Sequence, residues 1–210
     1  GRKINLVAIS AKSINKKRKY KINKKIFYKN PLKILSKKKI DILFEVIGKS
    51  DGISKKIVES ALKKKIHVIT PNKALISKHG DYLSIIAEKN NVNLEFEASV
   101  AGGIPILRTL KDGLATNKFS KLVGILNGTS NYILSQMEKT KQPLSLVLKH
   151  AQKLGYAEPL NPKLDLNGYD ALAKIKILSS LAFNIKISKS KCLMEGIENI
   201  DLKDIQIAKQ

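Results

Sequence analysis

The sequence predicts an α/β fold built on a parallel sheet. Three short apolar segments rich in β-branched residues are interpreted as buried strands: Ile40–Ile47, Ile66–Thr70 and Val92–Ala98. Between them, Ile53–Lys65 and Ala74–Asn90 are interpreted as helices, the first because its apolar residues recur at helical spacing. Strands that alternate with helices over short loops are typical of parallel sheets with helices on their faces. We therefore expect a doubly wound sheet of the dinucleotide-binding type.

Leu6–Ser10 predicts a further strand, followed by a solvated lysine-rich loop at Asn15–Lys25. A dinucleotide-binding sheet normally carries a G-x-G-x-x-G turn after its first strand, where backbone amides bind the pyrophosphate. That pattern occurs nowhere in the 210 residues. We therefore expect Leu6–Ser10 to be the second strand, with the first strand and its turn upstream of Gly1, and we expect this polypeptide alone to bind NAD(P)H weakly. Lys12 would then lie near the adenosine ribose.

After Ala98 the alternation of strands and helices gives way to a mostly helical pattern. Helices are predicted at Ile104–Ala115, Tyr132–Glu138, Leu144–Leu154 and Tyr169–Phe183. The other predicted elements are a strand at Lys121–Leu126, a polar turn at Asn127–Asn131 and an irregular loop at Gly155–Gly168.

The formal net charge of +23 leaves two interpretations open. A nucleic-acid partner is one, because neutralising phosphates requires many cations. However, only three of the 40 basic residues are arginines, which read bases and phosphates better than lysines do. The lysines are also spread over nearly every segment, alongside many isoleucines and asparagines. We therefore favour a compositional bias and expect no specific nucleic-acid partner.

Composition disfavours several other classes of protein. The single cysteine, Cys192, cannot form a disulfide within the chain, which favours a reducing cytoplasm. No stretch approaches the roughly 18 apolar residues of a membrane span, and no signal peptide is visible. The three histidines lack metal-ligand spacing.

Two segments lie where a parallel sheet binds ligands. Val68–Leu75 (VITPNKAL) ends a predicted strand and opens a helix, which places Lys73 at the carboxyl edge of the sheet. Phe96–Ile106 (FEASVAGGIPI) is a tight strand-to-helix turn with two glycines. Its carbonyl oxygens and Glu97 are donors that suit a hard cation.

Asp170 and Lys174 are four residues apart in a predicted helix, so their side chains are neighbours. One interpretation is an exposed ion pair of little consequence. The other is a proton-transfer group, because apolar residues surround the pair in the sequence and a lysine held beside a carboxylate in a cleft can transfer protons. We favour the second.

Four sequence blocks resemble the homoserine dehydrogenase family. They read VITPNKAL, FEASVAGGIP, NGTSNYIL, and GYAE followed by DLNGYDALAK, in the family's order and at compatible spacing. Glu195–Ile197 (EGI) also has a family counterpart. The resemblance covers essentially the whole chain, and four blocks together are very specific.

The resemblance implies a role for each matching residue. Lys174 is similar to the proton donor and acceptor of the family, and Asp170 to the carboxylate that positions it. Lys73 resembles the lysine that contacts cofactor and substrate, and Gly48 lies beside the cofactor. Substrate contacts are implied for Glu158, which would bind the α-amino group, and for Gly155, Asn127 and Thr129. A sodium site is implied at Glu97 and at backbone groups of Val100, Gly102 and Ile104.

The activity implied is the reversible, NAD(P)H-dependent reduction of L-aspartate 4-semialdehyde to L-homoserine, a step in threonine, methionine and isoleucine biosynthesis. The resemblance implies a partial nucleotide-binding domain over residues 1–96 and a catalytic and dimerisation domain over residues 97–210. A homodimer or homotetramer is expected.

Two departures from the family pattern occur: Glu158 to Asp165 is one residue longer than expected, and Gly48-Lys49 replaces a double glycine. A rival assignment is aspartate-semialdehyde dehydrogenase, which acts on the same metabolite but needs a nucleophilic cysteine. Cys192 is the only candidate, and no histidine lies near it in the sequence.

Diffuse lysines predict weak, sequence-blind DNA binding with a steep salt dependence. A gel shift with random duplex DNA should show a complex at low salt that is lost at physiological salt. Nanomolar affinity for one specific site at physiological salt would overturn the interpretation of the charge as compositional.

Overall fold

The computed structural model describes residues 3–159, 162–187 and 192–208. The chain divides into two compact units, Gly1–Gly102 and Gly103–Gln210.

The first unit contains two parallel sheets. β1 (Ile9–Ser10) pairs with β2 (Phe27–Tyr28), and a second sheet has the order β3 (Ile42–Phe44), β4 (His67–Ile69), β5 (Leu94–Glu95). The predicted parallel arrangement is confirmed. In the common doubly wound order, the second and fourth strands both pair with the first and not with each other. The separation of the two sheets therefore agrees with the interpretation of Leu6–Ser10 as the second strand.

Three helices accompany these strands: α1 (Leu32–Lys37), α2 (Ile53–Lys63) and α3 (Lys73–Lys89). The buried residues of α2 recur at i, i+3, i+4, i+7 and i+8, which gives the helix one continuous buried face. That face, the β4 strand and α3 share a core whose innermost members are less than 3% exposed: Ile57, Val58, Ala61, Leu62, Val68, Leu75 and Leu83. Sequence reasoning missed β2 and α1, which are too short to show a period.

In the described part of the second unit, the regular secondary structure is helical, and stretches without regular structure connect the helices. Its helices are α4 (Ile106–Arg108), which continues as a π-helix over Thr109–Gly113, and α5 (Gly128–Thr140), α6 (Leu144–Lys153), α7 (Lys163–Leu166), α8 (Tyr169–Phe183) and α9 (Leu202–Ile207). A cluster of buried apolar residues joins α5, α6 and α7: Ile133, Met137, Val147, Ala151, Ala157 and Leu166. Of the helices described, none is long and apolar enough to cross a membrane.

Three sequence predictions for this unit are wrong. The loop predicted at Gly155–Gly168 contains a short helix, α7. Lys121–Leu126 has no regular secondary structure, and its Val123 and Ile125 side chains are 78% and 76% exposed. An apolar alternation predicts a strand, but a strand also needs a partner to accept its backbone bonds. The polar turn predicted before Tyr132 is instead the first turn of α5. The helix begins at Gly128 because the Asn127 side chain accepts a hydrogen bond from Ser130 N at 2.7 Å.

Asp51, at the start of α2, connects to α3 through its carboxylate. It accepts hydrogen bonds from Lys78 Nζ at 2.7 Å, from Ser50 Oγ at 2.7 Å and from His79 Nε2 at 2.9 Å. The bond from Lys78, followed by those from Ser50 and His79, holds the pKa of Asp51 well below its usual range. This exposed cluster therefore links the two long helices of the first unit.

A group with a depressed folded pKa stabilises the fold above its unfolded pKa of about 3.9, and that contribution is lost as pH falls toward the folded value. Asp51→Asn should therefore lower the thermal midpoint at pH 7, and the difference from the wild type should shrink between about pH 5 and 2. Asp81→Asn, which changes another exposed acid on α3, is the matched control and should leave the midpoint unchanged. A pH-independent effect of Asp51→Asn would contradict the assignment.

Candidate active site

Two of the predicted cofactor contacts, Lys73 and Gly48, lie near the carboxyl ends of β4 and β3. Lys73 is the first residue of α3, because Asn72 caps that helix by accepting a hydrogen bond from Leu75 N at 3.1 Å. Gly48 lies just past β3 with a φ of +86°, a conformation that favours glycine, and a Cβ there would meet no atom within 4 Å. Lys73 and Gly48 thus lie at the edge where parallel sheets bind ligands. Lys12 is exposed, two residues beyond β1 in the other sheet.

Asp170 and Lys174 form a buried ion pair on α8. Lys174 Nζ lies 2.8 Å from Asp170 Oδ2, and the two side chains are 19% and 8% exposed, respectively. The ammonium also donates to the backbone oxygen of Leu126 at 2.6 Å. The predicted neighbours are therefore in contact, and their burial excludes the alternative of an exposed surface pair.

Asn127 connects this pair to the rest of the site. Its side-chain oxygen caps α5, while its Nδ2 donates to Asp170 Oδ2 at 3.0 Å and to Asp165 Oδ1 at 2.8 Å. A helix cap and two carboxylates are thus fixed by one amide, which is 9% exposed. Because all the polar atoms of the amide are engaged, Asn127 holds the two acids in a defined relation to α5.

Asp165 is a site residue that sequence reasoning missed. Besides the bond from Asn127, its backbone oxygen accepts from Ser130 Oγ at 2.9 Å, which ties the start of α5 to α7. The signal was present, because Asp165 opens the DLNGYDALAK block in which Asp170 and Lys174 were recognised. Periodicity could not reveal it, since its importance comes from a partner 38 residues away.

A cavity of about 280 Å³ lies against Asn127 and Asp165. Asn127 joins it to the Asp170–Lys174 pair, which is not part of its lining. The lining residues are Ile125, Leu126, Asn127, Ser130, Asn131, Leu134, Asp165, Leu166, Gly168, Ala171, Glu195, Gly196 and Ile197. Asn127 and Asn131 therefore border this cavity, and the substrate contact expected of Asn127 stays a prediction.

Three predicted substrate residues do not line this cavity. Thr129 donates its hydroxyl to the backbone oxygen of Tyr156 at 2.7 Å, and Gly155 forms a turn with a φ of +79°. Glu158 is exposed, and its backbone oxygen accepts from Gln152 Nε2 at 3.1 Å. The extra residue expected between Glu158 and Asp165 falls in a stretch whose residues 160 and 161 lie outside the described part of the chain.

The residues of the predicted sodium site belong to both units. Glu97 opens a 3-10 turn that ends at Ser99, Val100 is buried, and Gly102 is exposed. In the second unit, the Ile104 oxygen accepts from Ile106 N at 2.8 Å. The described residues contain no group of three or more acidic, histidine or cysteine side chains able to hold a metal. A site made mainly of backbone oxygens stays a prediction.

The segment Glu195–Ile197 (EGI) packs against the backbone between Asp165 and Asp170 and hydrogen-bonds to it. Ile197 N donates to the Leu166 oxygen at 2.7 Å, and a Cβ on Gly196 would come within 2.5 Å of that oxygen and 2.7 Å of Asn167 Cα. A Cβ on Gly168 would likewise come within 2.9 Å of the Glu195 backbone oxygen. Glycine is required at both positions because the two backbones touch between Asp165 and Asp170.

A parallel sheet with a lysine at its carboxyl edge and a largely buried lysine–aspartate pair are features expected of the class of dinucleotide-dependent dehydrogenases. Residues 1–97 match the family model described as homoserine dehydrogenase, NAD binding domain, and residues 105–210 match the one described as homoserine dehydrogenase. The chain therefore belongs to the homoserine dehydrogenase family.

Individual relatives agree with this family. The chain is 44% identical to the homoserine dehydrogenase of Neisseria gonorrhoeae over 83% of its own length, and 43% identical to that of Bacillus subtilis over 81%. It covers 40% and 39% of those two proteins, so it spans about 40% of the length of the curated relatives it matches.

Solved structures of homoserine dehydrogenases share the fold. The Staphylococcus aureus enzyme at pH 7.0 superposes with a TM-score of 0.84 at 38% identity, covering 98% of this chain and 49% of that one. A hyperthermophilic archaeal homoserine dehydrogenase mutant in complex with NADPH gives a TM-score of 0.76 at 26% identity, covering 89% and 54%.

Gly196→Ala should destabilise the second unit by about 1–3 kcal/mol, the usual cost of forcing a methyl group into a filled site. The methyl group would meet backbone atoms, which cannot rotate away as a side chain can. Gly124→Ala is the matched control, because its added Cβ would meet its nearest neighbour at an ordinary 3.9 Å. Urea unfolding of both variants measures the difference. Equal stability of the two variants would contradict the close contact.

Proposed function

We propose that this chain supplies the nicotinamide-side edge and the proton-transfer site of a homoserine dehydrogenase. The reaction would be the reversible NAD(P)H-dependent reduction of L-aspartate 4-semialdehyde to L-homoserine. One observation carries the proposal above all others, namely the buried ion pair of Lys174 with Asp170. Family membership supports the reaction, and the NADPH complex of the archaeal relative supports the cofactor.

Proton transfer is the proposed task of Lys174. When bound, the reduced nicotinamide supplies a hydride to the aldehyde carbon. The carbonyl oxygen then gains negative charge and needs a proton, which the Lys174 ammonium would donate. In the reverse direction, neutral Lys174 would accept the hydroxyl proton of homoserine. Asp170 and the Leu126 oxygen support this role because they fix the lysine nitrogen at 2.8 and 2.6 Å.

The substrate is an α-amino acid, so its ammonium needs an acidic partner. Glu158 is the proposed partner, and its exposure leaves its carboxylate accessible. Asn127, Thr129 and Gly155 are the proposed walls of the pocket. Lys73 is the proposed contact to both cofactor and substrate.

Further parts of the proposal concern ligands, assembly and location. Gly48, Lys73 and Lys12 would contact NAD or NADP, and the open space around Gly48 suits a closely approaching cofactor. A sodium ion would be held by Glu97 and by backbone oxygens of Val100, Gly102 and Ile104. The protein would act as a homodimer or homotetramer in the cytoplasm.

Replacing Lys174 tests the proposal directly. In the full-length protein, Lys174→Met should lower kcat by a factor of about 10²–10⁴, the usual worth of proton-transfer catalysis. The KM for the substrate should change much less, because Glu158 would still bind the α-amino group. Glu158→Gln should show the opposite emphasis, with a larger rise in KM. NADPH oxidation with aspartate 4-semialdehyde measures both constants.

Lys174→Met also leaves Asp170 buried without its cation, which can destabilise a fold. The double variant Asp170→Asn with Lys174→Met removes both charges and separates this effect from catalysis. Circular dichroism and NADPH binding should be preserved in the double variant while kcat stays low. A kcat near that of the wild type for Lys174→Met would sink the assignment and make Lys73 the preferred proton-transfer group.

A further inference from the structure

Glu45 is a buried acid to which no role has yet been given. It directly follows β3, is 2% exposed, and interrupts an otherwise apolar run of side chains at the end of that strand. Burying a carboxylate is costly unless hydrogen bonds compensate it. The hydrogen-bond partners of Glu45 therefore indicate the role of this carboxylate.

Three neighbours donate to this carboxylate. Ile47 N donates to Oε1 at 2.8 Å, Thr70 Oγ1 donates to Oε2 at 2.6 Å, and Asn72 Nδ2 donates to Oε2 at 3.2 Å. The first donor lies on the turn that leads to Gly48, and the other two lie between β4 and α3. One side chain thus joins the carboxyl ends of two adjacent strands.

Asn72 extends the network to both proposed cofactor contacts. Its Nδ2 also donates to the Lys49 oxygen at 2.9 Å, which fixes the turn after Gly48. Its backbone N–H donates to Thr70 Oγ1 at 3.0 Å, and its Oδ1 caps the first turn of α3 through Leu75 N. Lys73 is the next residue, so the direction in which it leaves the sheet depends on this amide.

We propose that Glu45 is a positioning residue that holds Gly48 and Lys73 at a fixed separation for the nicotinamide end of the cofactor. The inference rests on the function proposed above. An acid suits this task because a carboxylate only accepts hydrogen bonds, and it orients the Thr70 hydroxyl and the Asn72 amide so that their remaining groups face Lys49 and α3. Glutamine has the same shape but presents one donor where an acceptor is needed.

Glu45→Gln in the full-length protein is the central experiment. It should raise the KM for NADPH and lower kcat, together reducing kcat/KM by about 10- to 100-fold, because small misplacements of positioned groups have effects of that size. Glu59→Gln is the matched control. Glu59 also accepts two side-chain bonds in the same unit, from Lys63 at 2.6 Å and from Tyr82 at 2.9 Å, but it lies on α2. Its kcat/KM should stay within about twofold of the wild type.

A rescue variant separates positioning from simple loss of stability. Combined with Glu45→Gln, Asn72→Asp restores a donor–acceptor pair between the two positions and retains the cap on Leu75 N. It does not restore the bond to the Lys49 oxygen. The double variant should therefore regain part of the lost kcat/KM, at least threefold. If Glu45 acts by positioning, the double variant should regain kcat/KM without a matching rise in its thermal midpoint above that of Glu45→Gln. A recovery of kcat/KM that simply follows the thermal midpoint would indicate a loss of stability instead.

Hydrogen exchange on the 210-residue chain distinguishes failure of this inference from failure of the proposed function. Glu45→Gln should accelerate exchange of the Ile47, Asn72 and Leu75 amides without a matching change in α2. If the wild-type enzyme is active and Glu45→Gln equals it in kcat/KM, the inference is overturned and the function stands. If the wild type has no dehydrogenase activity, the proposed function falls. The cofactor part of the inference falls with it. Faster exchange would then still support the positioning of Gly48 and Lys73 by Glu45, and unchanged exchange would overturn it.

Discussion

A buried lysine–carboxylate pair can exist only if the protein supplies hydrogen bonds in place of water, and this constraint organises the second unit. The Lys174 ammonium uses Asp170 and the Leu126 oxygen, and Asp170 uses the Asn127 amide. Asn127 in turn starts α5 and holds Asp165. The Asn127 amide therefore determines both where α5 begins and where the carboxylate of the Lys174–Asp170 pair lies. A change at Asn127 would affect the fold and the site together.

The first unit meets a similar constraint with different groups. Glu45 is compensated by a hydroxyl, an amide and a backbone N–H, all from residues at the carboxyl ends of β3 and β4. Parallel strands bring those ends to one edge, so a single carboxylate reaches both. Each unit therefore contains a buried charged group, Glu45 in the first and Asp170 in the second. In both cases, its hydrogen bonds hold the backbone beside residues with a proposed role in the reaction. Surface charges such as Asp51 join helices but do not shape the site.

Sequence periodicity predicted the elements that carry their own pattern. α2, α3, α6 and α8 lie within a residue or two of their predicted bounds, and in α2 and α6 the apolar residues recur on one face at helical spacing. Predictions of secondary structure and of site residues failed where hydrogen bonds to other segments determine the structure. Lys121–Leu126 has a strand-like sequence but forms no strand, and α5 starts at Gly128 because of a side-chain cap. Asp165 gained its importance from Asn127, far away in the sequence.

By itself, the sequence determined the parallel α/β pattern of the first unit, the helical character of much of the second, and the proximity of Asp170 and Lys174. These are local properties, since a four-residue spacing on a helix brings two side chains together in any context. Only the tertiary structure decided that the pair is buried, that Asn127 links it to Asp165, and that Glu45 joins Gly48 to Lys73. Burial and hydrogen bonds between distant residues depend on how elements pack, and no spacing along the chain encodes that packing directly.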